Sequence, residues 1–179
     1  AKETRVYRGW DNNAPTGPTE VTRRDPRQKY SESLTMVVAP HLTGEKPDGM
    51  EAIGGLQTMR RSFVNNSGQT VRDYAYFSFD TLTYSAIPEW GTKDTHYYAT
   101  AYDYDEGGRR NRVVNPVGTI TRTVYGSNGR PVSTWVGTDD VPQNGSWSPS
   151  NPWKMVKVSE NVYDEGLAGD GNLTQTVAY

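Results

Sequence analysis

The stretch Tyr97-Tyr98-Ala99-Thr100-Ala101-Tyr102-Asp103-Tyr104-Asp105-Glu106-Gly107-Gly108-Arg109 decides the fold class. Side chains of an extended chain alternate between its faces. Tyr98, Thr100, Tyr102 and Tyr104 therefore share one face, and Tyr97, Ala99, Ala101 and Asp103 the other. Glu106-Gly107-Gly108 then supplies a turn, because glycine accepts backbone angles that other residues avoid. The same alternation sets Tyr74 and Tyr76 against Ala75, Phe77 and Phe79, and Ile120, Arg122 and Val124 against Thr119, Thr121, Thr123 and Tyr125. No helical period is sustained, and the best helical candidate, 50–59, is interrupted by Gly54-Gly55. The pattern predicts an all-β chain.

Composition agrees. Only 34% of the 179 residues are hydrophobic, but net charge is -2 and 11% are aromatic, whereas disordered chains pair low hydrophobicity with high charge and few aromatics. Tyr, Thr and Val stand where Leu and Ile usually would, and these residues favour strands. Nineteen Lys and Arg against 21 Asp and Glu exclude a basic nucleic-acid footprint. No apolar run approaches the roughly 20 residues of a membrane helix. The absence of Cys excludes disulfides, thiolate catalysis and Cys-held metals. No charged-then-apolar leader is visible, and Ala1 reads as a cut or processed start.

Asn128-Gly129, between 119–125 and Pro131–Val136, is a hairpin signal. A two-residue loop there predicts Tyr125 opposite Val132, Thr123 opposite Thr134 and Arg122 opposite Trp135; a longer turn shifts that register. Asn65-Asn66-Ser67-Gly68 and Glu106-Gly107-Gly108 read as similar turns.

The hairpins repeat a motif. Tyr102-Asp103-Tyr104-Asp105-Glu106-Gly107-Gly108-Arg109 has the form Y-x-Y-D-x-x-G-R. Thr123-Val124-Tyr125-Gly126-Ser127-Asn128-Gly129-Arg130 returns to it, with Gly126 at the Asp position and Gly118 supplying a preceding glycine. Phe63–Gln69 is a weaker copy, and Val162-Tyr163-Asp164-Glu165 restarts the pattern before extra residues and Gly171-Asn172-Leu173. Trp10-Asp11 is an outlying match. Physically, Tyr offers a broad apolar face and a hydroxyl for a polar edge, Asp or Asn accepts turn N–H groups, and Arg109 and Arg130 can return to stack on neighbouring units.

The motif resembles the YD-repeat, or RHS-repeat, family of bacterial extracellular proteins, over about 60–179. Departures are Gly126 for Asp, and Arg110 and Pro131 for the usual aliphatic after Gly-Arg. The resemblance implies tandem antiparallel hairpins forming a continuous twisted β-sheet ribbon or solenoid-like segment. It also implies a cell-surface or extracellular setting and a structural role, as a fibre or as the wall of a shell. The motif residues Tyr102, Tyr104, Asp105, Gly108, Arg109, Gly118, Tyr125, Gly129, Arg130, Tyr163 and Asp164 would then carry structure. Residues 1–59 form a degenerate β-rich part, 60–179 the repeats, and about 137–154 an insertion.

That insertion holds Trp147 and Trp153 with Asp139, Asp140 and Asn144-Gly145, residues suited either to a sugar platform or to packing over a hairpin end. Asp103, Asp105 and Glu106, and Asp164, Glu165 and Asp170, read as solvated turn acids; a calcium site at 164–172 lacks the usual loop signature. Neither acid pairs nor His41 and His96 carry a recognisable catalytic constellation, and Arg23-Arg24, Arg60-Arg61 and Arg109-Arg110 read as solvated or salt-bridged pairs. No catalytic residue, metal or cofactor is expected. The expected partners are adjacent repeats or identical copies self-assembling into a filament, with glycans on an adhesive loop as the alternative.

Overall fold

The computed structural model describes residues 1–11, 14–164 and 171–179, with side chains outside 10–15. Among these the chain is all-β, and eleven strands hydrogen-bond into one open antiparallel sheet. The chain divides into two compact units, Ala1–Ala99 and Thr100–Tyr179.

The first unit contains β1 (Lys2–Tyr7), the short pair β2 (Trp10–Asp11) and β3 (Ala14–Pro15), β4 (Thr19–Asp25) and β5 (Tyr30–Met36). It continues through the small hairpin β6 (Leu42–Thr43) and β7 (Lys46–Pro47), then β8 (Leu56–Val64), β9 (Thr70–Tyr76) and the start of β10 (Tyr97–Tyr104). The order β1-β4-β5-β8-β9 is antiparallel throughout. Alternation places Tyr30, Leu34 and Met36 of β5, Met59 and Phe63 of β8, and Tyr74 and Tyr76 of β9 in one core. Their rings contact in series from Tyr30 to Phe63, Tyr74 and Tyr97, with centroids 6.1, 4.7 and 4.2 Å apart. The 77–96 segment folds over this face and adds Trp90, Phe79, Leu82 and Tyr84. Phe77 and Phe79 thus lie beyond β9, not on the strand that period two suggested.

The second unit is a meander of β11 (Arg110–Val114), β12 (Ile120–Tyr125), β13 (Pro131–Gly137), β14 (Met155–Tyr163) and β15 (Leu173–Ala178). Its core is smaller: Ile120, Trp135 and Met155, with Val114, Val124 and Trp147 against them. Burial of a large apolar side chain stabilises by about 1.5–3 kcal/mol, so three such residues leave polar contacts a larger share of the work here.

The β12–β13 register corrects the two-residue loop. Arg122 opposes Trp135 and Thr123 opposes Thr134 as expected, but Tyr125 opposes Pro131 rather than Val132. Gly129 N donates to Gly126 O at 2.9 Å and Gly126 N to Arg130 O at 2.8 Å, with Gly129 at φ 80°. This is a longer turn ending in a left-handed glycine, and the added residue is absorbed as a bulge beside Tyr125.

Candidate functional site

The repeated turn is the unit from which the candidate site is built. At Asp105–Arg109, Gly108 N donates to Asp105 O and Asp105 N to Arg109 O, each at 2.9 Å. The Asp105 carboxylate accepts Arg109 N at 2.8 Å and Arg109 Nε at 2.7 Å. The backbone donor first, and then the guanidinium, hold its carboxyl below the usual range. Asn65 caps its turn with Oδ1 accepting Ser67 N and Gln69 N, both at 3.0 Å. Gly126 has no side chain to do this, and Asn128 Oδ1 takes Arg130 N instead at 3.2 Å.

Gly118, read as a preceding glycine, closes a turn of the same form: Gly118 N donates to Asn115 O at 3.0 Å and Thr119 N to Asn115 Oδ1 at 2.8 Å. The sequence reading missed this copy because Val114 stands at the Tyr position before Asn115.

Successive turns on the β10–β11, β12–β13 and β14–β15 hairpins interlock. The Arg109 guanidinium lies over the Tyr125 ring at 4.8 Å, and Tyr125 Oη donates to Arg110 O at 3.0 Å. Arg130 lies over Tyr163 at 5.5 Å, and Tyr163 Oη donates to Pro131 O at 2.8 Å. Glycine completes the fit. A Cβ on Gly129 would sit 3.1 Å from Arg109 Nη1, and one on Gly171 would collide with the Arg130 guanidinium. In each case the Arg of one hairpin covers the Tyr of the next and backs against its left-handed Gly. Tyr102 instead meets Arg110 at 5.3 Å. The last hairpin differs: Asn172 stands where Arg109 and Arg130 stand, and its Nδ2 donates to Asp164 Oδ2 at 3.3 Å. Glu165 and Asp170, the other acids of the calcium reading, lie outside the described residues, and among the described residues no cluster of three ligating side chains forms.

The insertion between β13 and β14 is pinned by Asp140, 4% exposed. Its Oδ2 accepts Nε of both Arg112 and Arg122 at 2.6 Å, and its Oδ1 accepts Arg112 Nη2 at 3.0 Å. Burial opposes ionisation, but the donors from Arg112 and Arg122 outweigh it and hold the carboxyl below its ordinary range. Arg112 and Arg122 sit directly opposite each other on β11 and β12, so one carboxylate bridges a cross-strand cationic pair. Arg112 Nη1 also reaches Asp103 at 2.9 Å.

The two tryptophans have separate surroundings. Trp147 packs edge-on against Trp135 at 6.0 Å and lies under Arg122 at 4.7 Å. Trp153, 39% exposed and at φ 52°, donates Nε1 to Asp139 Oδ2 at 3.0 Å, while Lys154 Nζ sits 5.5 Å from its ring. Trp153 Nε1 first, then Val141 N and Lys154 Nζ, each donating to the Asp139 carboxylate at 3.0 Å, push that carboxyl down to about 2.

Arg61, expected in a solvated or salt-bridged pair with Arg60, is 0% exposed in the first unit. Its Nε donates to Glu32 Oε2 at 2.9 Å, its Nη1 to Ile87 O at 2.5 Å and Pro88 O at 3.1 Å, and its Nη2 to Ser85 O at 2.6 Å. Trp90 stacks beneath it at 5.3 Å. Glu32, 2% exposed, also accepts from Tyr84 Oη. Arg60 is the exposed partner, meeting Asp73 at 3.2 Å. The missed signal was phase: Arg61 falls in step with Met59 and Phe63, and Glu32 with Tyr30, Leu34 and Met36. His41 pairs with Asp48 at 2.8 Å, and His96 Nδ1 accepts Thr92 N at 3.0 Å.

What this arrangement does chemically is hold strands and loops in register through charge-assisted hydrogen bonds and cation–π contacts. Neither family models nor curated proteins give a match to this chain.

Proposed function

We propose that this chain is a non-enzymatic structural segment of a large extracellular or cell-surface protein of the YD/RHS-repeat kind. It builds a β scaffold by strand pairing between hairpins. The observation that carries this reading is the interlock in which Arg109 covers Tyr125 against Gly129, repeated by Arg130, Tyr163 and Gly171. It gives the Tyr, Gly and Arg of the motif one shared purpose, the seating of each hairpin on its predecessor, as expected where repeats are stabilised by their nearest neighbours.

A double-mutant cycle tests it. Arg109→Ala and Tyr125→Ala, alone and together in urea unfolding, are expected to show coupling of about 0.5–1 kcal/mol. Strict additivity would remove the interlock and this reading's main support.

The alternative, a carbohydrate-binding module using the Trp147–Trp153 loop, draws on the partial exposure of Trp153 alone, since Trp147 is engaged in packing. Glycan retention that disappears in Trp153→Ala, with the fold intact, would favour that alternative.

A further inference from the structure

Among the described residues, the exposed aromatic rings are Phe77, Tyr98, Trp153 and Tyr179. Two of these are engaged. Trp153 bonds Asp139 and lies beside Lys154, and Tyr179 donates Oη to Glu160 at 2.7 Å with the Lys157 ammonium over its ring. Phe77 and Tyr98, 48% and 50% exposed, have only each other, with centroids 4.5 Å apart and planes inclined by 33°. Among the described residues no cation lies over either ring, and the Tyr98 hydroxyl finds no partner.

The backbone fixes this pair. Phe77 N donates to His96 O at 2.9 Å, which holds the end of β9 against the chain entering β10. Tyr76 and Tyr97, next to them in sequence, point into the aromatic core, so alternation turns Phe77 and Tyr98 to the opposite face of the sheet.

That face is built for water. One cross-strand row runs through Thr22, Ser33, Arg60 and Ala75, and the next through Glu20, Thr35 and Thr58. Thr58 Oγ1 donates to Thr35 Oγ1 at 3.0 Å. The charges are paired, Arg60 with Asp73 at 3.2 Å and Glu20 with Arg8 at 2.8 Å. A shallow groove of about 280 Å³ lies over these rows. Carrying the β8–β9 register on from Arg60 opposite Ala75 sets Thr58 beside Phe77, so the second row leads from hydroxyls to the two rings. At about 4.8 Å between strands, a row from β4 to β10 is roughly 19 Å long.

We propose that this face binds a neutral oligosaccharide chain, with Phe77 and Tyr98 as its platform and Thr58 and Thr35 as hydrogen-bonding partners along it. A pyranose is divided as the face is, with C–H faces that lie on aromatic rings and hydroxyls that pair with hydroxyls. The paired charges leave no net field for a polyanion or a polycation, and a protein partner needs an apolar centre larger than two rings. The site belongs to the first unit, shares no residue with the 147–153 loop and does not depend on the scaffold reading.

The test is isothermal titration calorimetry of the 179-residue chain with linear hexasaccharides of glucose, mannose, galactose, xylose and N-acetylglucosamine, and with a heparin hexasaccharide. At least one neutral chain should bind, and heparin should not. Phe77→Ala and Tyr98→Ala should each weaken binding by about tenfold, and Thr58→Val by about fivefold, with folding checked by circular dichroism. Trp153→Ala should leave binding unchanged. If Phe77→Ala loosens the end of β9, Tyr98→Ala decides, since its removed ring is half in solvent. A folded parent that binds none of the neutral chains at millimolar ligand overturns the proposal. So does binding that survives Tyr98→Ala, binding of heparin alone, or binding that Trp153→Ala abolishes. None of these outcomes bears on the Arg109–Tyr125 coupling, so the glycan site can fail while the scaffold reading stands, and the reverse.

Discussion

Both units fasten a long loop onto a sheet face with a buried carboxylate and arginine, but they divide the roles differently. In Ala1–Ala99 both charges belong to the sheet, Glu32 on β5 and Arg61 on β8, and the loop contributes neutral carbonyls from Ser85, Ile87 and Pro88 with Trp90 beneath. In Thr100–Tyr179 the sheet supplies two cations, Arg112 and Arg122, and the loop supplies the anion, Asp140. In the first arrangement Glu32 already has Arg61 and Arg23 as sheet partners before the loop arrives; in the second Asp103 reaches Arg112 from the sheet, and Arg122 gains its carboxylate only when the loop brings Asp140. Loop docking is therefore a closing step over an aromatic core in one unit and an electrostatic requirement in the other.

Arg61→Ala is the largest expected break. It leaves the buried Glu32 with only Tyr84 and the more distant Arg23 guanidinium at 3.5 Å, and the loss should be about 3–5 kcal/mol in urea unfolding. If Arg61→Met together with Glu32→Leu restores much of that loss, the pair supplies specificity rather than net stability. A single Arg61→Ala change below about 1 kcal/mol would show that water reaches Glu32 and that the closed-core description is wrong.

Asp140→Asn comes next, at about 1–3 kcal/mol, because one charged acceptor oxygen becomes a neutral one and the other becomes an amide NH2 that cannot accept from arginine. It also carries a pH signature. The folded Asp140 carboxyl is depressed, so its stabilisation is fully present above the unfolded carboxylate value of about 3.9 and is lost as pH falls through the lower folded value. Thermal melts between pH 7 and pH 2 should show an acid-side loss in the parent that is smaller in Asp140→Asn. Parallel curves would remove Asp140 as the group responsible.

The smallest effect separates the two jobs of glycine in the repeat turn. Gly118 and Gly129 both have positive φ, but a Cβ at Gly118 meets open space and one at Gly129 meets Arg109 Nη1. Gly118→Ala should cost about 1 kcal/mol from backbone strain alone. Gly129→Ala should cost more, and the excess should vanish in an Arg109→Ala background. Equal costs in both backgrounds would mean that Arg109 does not rely on the bare glycine.

The strands were legible because their signal is local: Tyr and Thr alternating between Gly-containing turns report period two without any tertiary information. Arg109 and Arg130 were legible as stacking residues for the same reason, since the motif repeats them at a fixed offset from Tyr and Gly. Arg61 and Asp140 were not. Arg60 and Arg61 are the same residue type, and only the phase of Arg61 with Met59 and Phe63 separates a buried cation from a solvated one. Asp140 is fixed by residues of β11 and β12 that precede it, and the sequence of the insertion holds no trace of them. The β12–β13 bulge was missed because Asn128-Gly129 satisfies a two-residue loop as readily as the longer turn.

The interlock also has a direction. Arg109 precedes Tyr125 and Gly129, and Arg130 precedes Tyr163 and Gly171, so each guanidinium belongs to the hairpin made earlier in the chain. A segment emerging from a ribosome or a secretion channel would complete one hairpin and present it as a template before the next arrives. Growth from the amino end then proceeds by local steps, with each newcomer closing onto a surface already in place.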